Sequence, residues 1–115
     1  MSYSKYRSKK VKVDGIPFDS KLEARRYKEL KLLERAGRIK DLELQPKFEL
    51  IPTVRWKGKT LRVTKYIADF SYKDEKGNFI VEDVKGFETD VYKLKRKLFL
   101  QRYPEIDFRE IREWQ

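Results

Sequence analysis

Cysteine and histidine are both missing from the 115 residues. Without cysteine there is no disulfide framework, no thiolate zinc site and no thiol nucleophile. Without histidine there is no Ser-His-Asp triad, no His-ligated zinc hydrolase centre and no nuclease chemistry that relies on a histidine base. Hydrolytic chemistry, if present, falls to carboxylates, Lys, Tyr or Ser, and an all-oxygen ligand set favours Mg2+ or Mn2+. Long apolar runs are missing too. None nears the roughly 20 residues that cross a bilayer, and the first residues hold no signal-peptide core, so an intracellular, cytoplasmic chain is expected and no membrane partner.

Acidic residues are the minority charge. Nineteen Asp and Glu stand against 29 Lys and Arg, for a net charge of +10 and a pI near 9.7. That balance suits a polyanionic partner, most simply nucleic acid. The plainer reading is a solubilising surface or a heat-adapted charge content. Aromatic residues at 14% argue against disorder. The length allows one domain, 1–115, with a single hydrophobic core.

The first ten residues, MSYSKYRSKK, read as a basic tail that is mobile in the free chain. A hairpin is expected around Asp14-Gly15, then a helix opening at Ser20 and stopping at Gly37. LELQPKFELI reads as a strand interrupted near Pro46. A hairpin turning at Lys57-Gly58 follows, with a long second arm through YIADFSY, and the turn KDEKG leads into the strand NFIVEDVKG. Thr89 caps a second helix that ends before Pro104, and IDFREIREW closes as a strand. The order is helix, three strands, helix, strand: a mixed α/β domain with a central sheet flanked by helices.

Asp69, Glu82 and Asp83 lie within otherwise apolar strand-like runs, where a carboxylate is costly unless paired or bound to a metal. Alternation puts Phe79, Val81, Asp83 and Lys85 on one face. A register centred near Lys76 sets Asp69 opposite Asp83, about 5 Å away between Cβ atoms. A slip of one residue would set Glu82 there instead. Two unpaired carboxylates so placed repel, and a divalent cation would relieve them. An ordinary salt-bridge ladder with Lys85 explains the same spacing.

Glu23 falls inside the apolar arc of the first helix, near Tyr27, and so points towards the sheet. It also fits the capping-box pattern Ser20-Lys21-Leu22-Glu23. Arg26 shares the arc and is placed to pair with a carboxylate the metal leaves free. On the second helix, Val91, Leu94, Leu98 and Phe99 read as the buried face, with Lys95 among them. Candidates for phosphate contact are Lys9 and Lys10 in the tail, Arg26, and Lys93, Lys95, Arg96 and Lys97.

An inward Glu on the first helix, an Asp on a strand and Asp-x-Lys on the next strand resemble the PD-(D/E)XK nuclease superfamily. KYRSKKVKVDGIPFDSKLEARRY, DLELQPKFEL, YIADFSY and VEDVKGFETDVYKLKRKLF resemble a small phage and prophage family within it, known as a domain of unknown function. The similarity runs from about Lys5 to Tyr103. It implies a restriction-endonuclease-like αβββαβ core. Glu23, Asp69, Asp83 and Lys85 would then be catalytic, with Glu23, Asp69, Asp83 and the Val84 carbonyl holding Mg2+ or Mn2+. Lys95 matches a position where such enzymes place an extra polar residue facing the site, and Ala68 replaces the proline of the motif name. The implied activity is metal-assisted hydrolysis of DNA phosphodiesters. Cutting of branched DNA by a homodimer follows by analogy with Holliday-junction-resolving endonucleases. A non-catalytic nucleic-acid-binding module on the same fold is the alternative.

Overall fold

The computed structural model describes residues 10–112. Strands β1 (Val11–Val13) and β2 (Ile16–Phe18) form the first hairpin. Asp14 and Gly15 both adopt positive φ, 53° and 76°, as a two-residue turn between right-twisted strands requires. Helix α1 (Lys21–Arg35) starts where the Ser20 side chain accepts the Glu23 N–H at 3.1 Å. Then come β3 (Ile39–Leu44), β4 (Lys47–Ile51), β5 (Val54–Trp56), β6 (Lys59–Leu61), β7 (Thr64–Ile67), β8 (Phe70–Asp74) and β9 (Phe79–Val84). Helix α2 (Asp90–Arg102), capped by Thr89, and strand β10 (Asp107–Ile111) complete the chain.

Four strands make the main sheet in the order β10-β9-β8-β3, with β10 parallel to β9 and the other pairs antiparallel. The fold is therefore mixed α/β. Each face of the sheet carries its own apolar cluster. Phe70, Tyr72 and Ile80 pack with Phe18, Ala24, Tyr27 and Leu30 on the α1 side. Val81 faces the other way, towards Tyr66, Leu50, Tyr92 and Phe99 on the α2 side. The strand alternation of β9 thus serves two cores.

The expected long second arm of the Lys57-Gly58 hairpin is broken. It divides into β6, β7 and β8, with breaks after Leu61 and after Ile67. β7 pairs with β4, whereas β8 pairs with β3 and β9. The divergence starts at Pro46, which has no N–H for a ladder, beside Gln45 at φ 53°. Gln45 N–H donates to the Asp69 carbonyl at 3.0 Å and Ala68 N–H to the Pro46 carbonyl at 3.1 Å. These bonds carry the chain across the junction between two sheets.

The expected buried face of α2 is corrected in part. Phe99 is buried and Leu98 half-buried as expected, but Val91 and Leu94 are 63% and 59% exposed, and Tyr92 is buried in their place. Aromatic area outweighs the aliphatic stripe here. Phe99 touches Phe48, Tyr66, Tyr103 and Phe108 with ring centres 5.0–5.4 Å apart, contacts that Val91 or Leu94 could not reproduce.

Candidate active site

Hairpin pairing between β8 and β9 runs Phe70↔Glu82, Ser71↔Val81 and Tyr72↔Ile80, a register centred on Lys76. The pairing ends at Phe70↔Glu82, and Asp69 lies in the bend just before β8. There the Asp69 N–H donates to the Glu82 carbonyl at 3.1 Å, which brings Asp69 to β9 beside Asp83. The Asp69 side chain accepts the Val84 N–H at Oδ2, 2.7 Å away. Because N–H and C=O of an extended residue point to the same side, the Val84 carbonyl also faces Asp69.

Glu23, 8% exposed, enters from the first turn of α1. It lines a cleft of about 210 Å3 with Asp69, Gln45, Leu44 and Phe18. Asp83 is 4% exposed and accepts hydrogen bonds from the Tyr66 hydroxyl and from Lys85 Nζ, the latter at 3.2 Å. Lys85 Nζ also sits 3.8 Å from the centre of the Tyr92 ring, a cation–π contact that fixes the ammonium beside the carboxylate.

These acids act on one another. Burial, then the charges of Asp83 and Glu23, push the Asp69 carboxyl up to about 8, although the Val84 N–H and Lys85 pull it down. Burial also raises Asp83, against the lowering effect of Tyr66 and Lys85. Glu23 is raised by burial, by Asp19 and by Asp83. Three carboxylates distant in the chain therefore share one electrostatic neighbourhood beside a lysine. Such mutual perturbation is typical of functional sites.

Glu82 goes the other way. Fully buried on the α1 face, it takes a bidentate pair from Arg26 at 2.7 and 2.6 Å and a hydrogen bond from the Tyr72 hydroxyl. Its charge is satisfied within the core. Of the two adjacent acids, Asp83 is the one that shares a neighbourhood with Asp69.

As a donor set, Glu23, Asp69, Asp83 and the Val84 carbonyl offer only oxygens, which fits a hard divalent cation in kind. They are not closed into a cage: among the described residues no group of three or more acids is spaced to hold a metal ion. Asp83 is turned to Tyr66 and Lys85, and Asp69 to the Val84 N–H and to Glu23.

Among the candidates for phosphate contact, Lys9 lies outside the described residues and Lys10 is exposed. The Arg26 guanidinium is occupied by Glu82 and Glu29. Arg96 is occupied by Glu110 at 2.7 Å and Glu88 at 3.3 Å. Lys93 and Lys97 are exposed and Lys95 is half-buried. Three residues escaped the sequence reading: Tyr66, which orients Asp83; Tyr92, which supports Lys85; and Gln45, which lines the cleft. Tyrosines in apolar runs read simply as core, and the only local sign of Gln45 was the Gln-Pro break.

A family model described as a protein of unknown function, DUF1064, matches residues 3–113. The chain belongs to that family. Neither the search of curated proteins nor that of solved structures finds a match. The functional reading of this DUF1064 chain therefore rests on its own side chains. Among its described residues no helix is long and apolar enough to cross a membrane.

Proposed function

We propose that the chain is a Mg2+- or Mn2+-dependent DNA endonuclease of the PD-(D/E)XK type, hydrolysing phosphodiester bonds. One observation carries the reading: buried Asp69 feels the charges of both Asp83 and Glu23, and Lys85 is paired to Asp83. A fold selected for stability alone would not gather three acids whose ionisations oppose one another. The sheet elements, taken as α1, β3, β8, β9, α2 and β10, follow the order expected of the restriction-endonuclease-like core, which supports the same reading.

Glu23, Asp69, Asp83 and the Val84 carbonyl would hold the ion. When bound, it supplies positive charge at the phosphoryl group and makes a bound water a better nucleophile. Lys85 sets a second cation beside Asp83, where it offsets negative charge that develops on the phosphate oxygens. Tyr66 keeps Asp83 in one orientation, and the Val84 N–H does the same for Asp69. The Tyr92 ring limits where the Lys85 ammonium can move. Exposed Lys93 and Lys97 attract the sugar-phosphate backbone without reading bases. Substrate choice then follows DNA shape, with branched junctions cut by a pair of copies.

Incubation with supercoiled plasmid and with a four-way junction, in Mg2+, Mn2+ or EDTA, tests the reading. Cleavage that needs metal and is lost in Lys85→Ala supports it. Folded protein that cuts neither DNA under any metal condition refutes it. The open spacing of the acids favours a second reading, a binding module that retains the fold. In that case Asp69→Ala and Lys85→Ala leave every measurable activity unchanged.

A further inference from the structure

The β5–β6 hairpin does not behave like part of a packed domain. All six of its strand residues are exposed. Val54, Trp56 and Leu61 are 44%, 53% and 45% exposed. Pairing of Val54 with Leu61 and of Trp56 with Lys59 puts these apolar side chains on one face, with Lys59 among them. On the opposite face Arg55 donates to the Thr60 hydroxyl, which locks the two strands together. An isolated two-stranded ribbon is only marginally stable, and an outward tryptophan adds nothing to a core.

Its charge is one-sided. Residues 52–63, PTVRWKGKTLRV, contain Arg55, Lys57, Lys59 and Arg62 and no acid. Lys57 occupies the turn at φ 49°, next to Gly58 at 76°. Asn or Gly is favoured there, so a lysine is a costlier choice that sets a cation at the tip. The Lys57 ammonium lies 5.1 Å from the Trp56 ring centre. Lysine is depleted in the cores of protein–protein interfaces, whereas a basic ribbon with a flat aromatic suits a polyanion.

We infer that this hairpin is a duplex-DNA contact arm, with its Val54–Trp56–Leu61 face seated in a groove and Lys57, Lys59 and Arg62 on the flanking phosphates. The major groove, about 12 Å wide, admits a two-stranded ribbon. The arm leads through β7 into Asp69 and β8, so it adds contacts to a duplex bound at the carboxylates. The inference rests on the DNA half of the proposed function and does not require cleavage.

The test uses full-length chain carrying Asp69→Asn, so that cutting does not intervene, and a fluorescent 24-base-pair duplex titrated at several salt concentrations. Replacing Lys57, Lys59 and Arg62 together by Ala should weaken binding at least tenfold at low salt. The slope of log affinity against log salt should shrink by up to about 3, at roughly 0.9 per phosphate contact. In a Trp114→Phe background Trp56 is the sole tryptophan, and its emission should change when DNA binds. Unaltered affinity and slope in the triple variant, with the parent binding normally, overturn the arm alone. A parent that binds no duplex overturns the DNA reading and the arm with it. If Trp56→Ala splits a dimer seen by sedimentation while DNA affinity holds, the face docks a second copy and the inference fails.

Discussion

Replacing Asp69 with asparagine should make the metal-free protein more stable. The Asp69 carboxyl lies at about 8 in the folded chain, through burial and the neighbouring charges of Asp83 and Glu23, against about 3.9 when unfolded. Between those values the folded chain binds the extra proton, so stability falls as pH rises from about 4 to 8. From pH 4 to pH 7, at roughly 1.4 kcal/mol per unit, the ceiling on the lost stability is about 4 kcal/mol. Side-chain relaxation and water entry reduce this, and a gain of about 1–3 kcal/mol at pH 7 is expected for Asp69→Asn. Asparagine keeps an oxygen for the Val84 N–H, bonded at 2.7 Å in the parent. Urea unfolding in EDTA, at pH 4.5 and pH 7.5, measures the effect. The gain should be clear at the higher pH and close to zero at the lower. A variant less stable than the parent at pH 7.5, or a gain independent of pH, refutes the repulsion argument.

Mg2+ or Mn2+ at about 100 times its Kd should stabilise the parent by roughly 2.7 kcal/mol, a rise of several degrees in Tm, and Asp69→Asn should blunt that rise. Arg26→Met strands Glu82 in the core and should cost about 3–5 kcal/mol, while Arg26→Met with Glu82→Leu should recover much of it; thermal melts of both variants check this. Phe99→Ala should cost about 3–5 kcal/mol by chemical denaturation. Val91→Ser and Leu94→Ser, on the exposed side of the same helix, should each stay within about 0.5 kcal/mol.

Local chemistry made much of the fold legible. Ser20 and Thr89 open their helices as capping residues do, and Asp14-Gly15 and Lys57-Gly58 turn as such dipeptides do. The register about Lys76 followed from the KDEKG turn, and it runs from Lys73↔Phe79 to Phe70↔Glu82, stopping one residue short of Asp69. Arg26 was legible as a partner for a spare carboxylate, and it pairs with Glu82. The α2 face was legible in part: Phe99 and Leu98 turn inward as the apolar arc implies, but helical spacing does not show that the Tyr92 ring takes the place of Val91 and Leu94. The split of the long arm at Ala68–Asp69 depends on Pro46, distant in sequence, so period-2 alternation could not reveal it. Nor could it reveal the roles of Tyr66 and Tyr92, which arise only once β7, β9 and α2 meet.

Nicking and linearisation of supercoiled plasmid, followed by gel over time with Mn2+ or with EDTA, probe the carboxylate–lysine site itself. The parent, Lys85→Ala and Asp83→Asn are compared after circular dichroism shows all three folded. The parent should cut only with metal, and each variant should lose about 100-fold or more. Cutting that persists in EDTA, or equal rates for the parent and Lys85→Ala, would rule out a metal-dependent site built on Asp83 and Lys85.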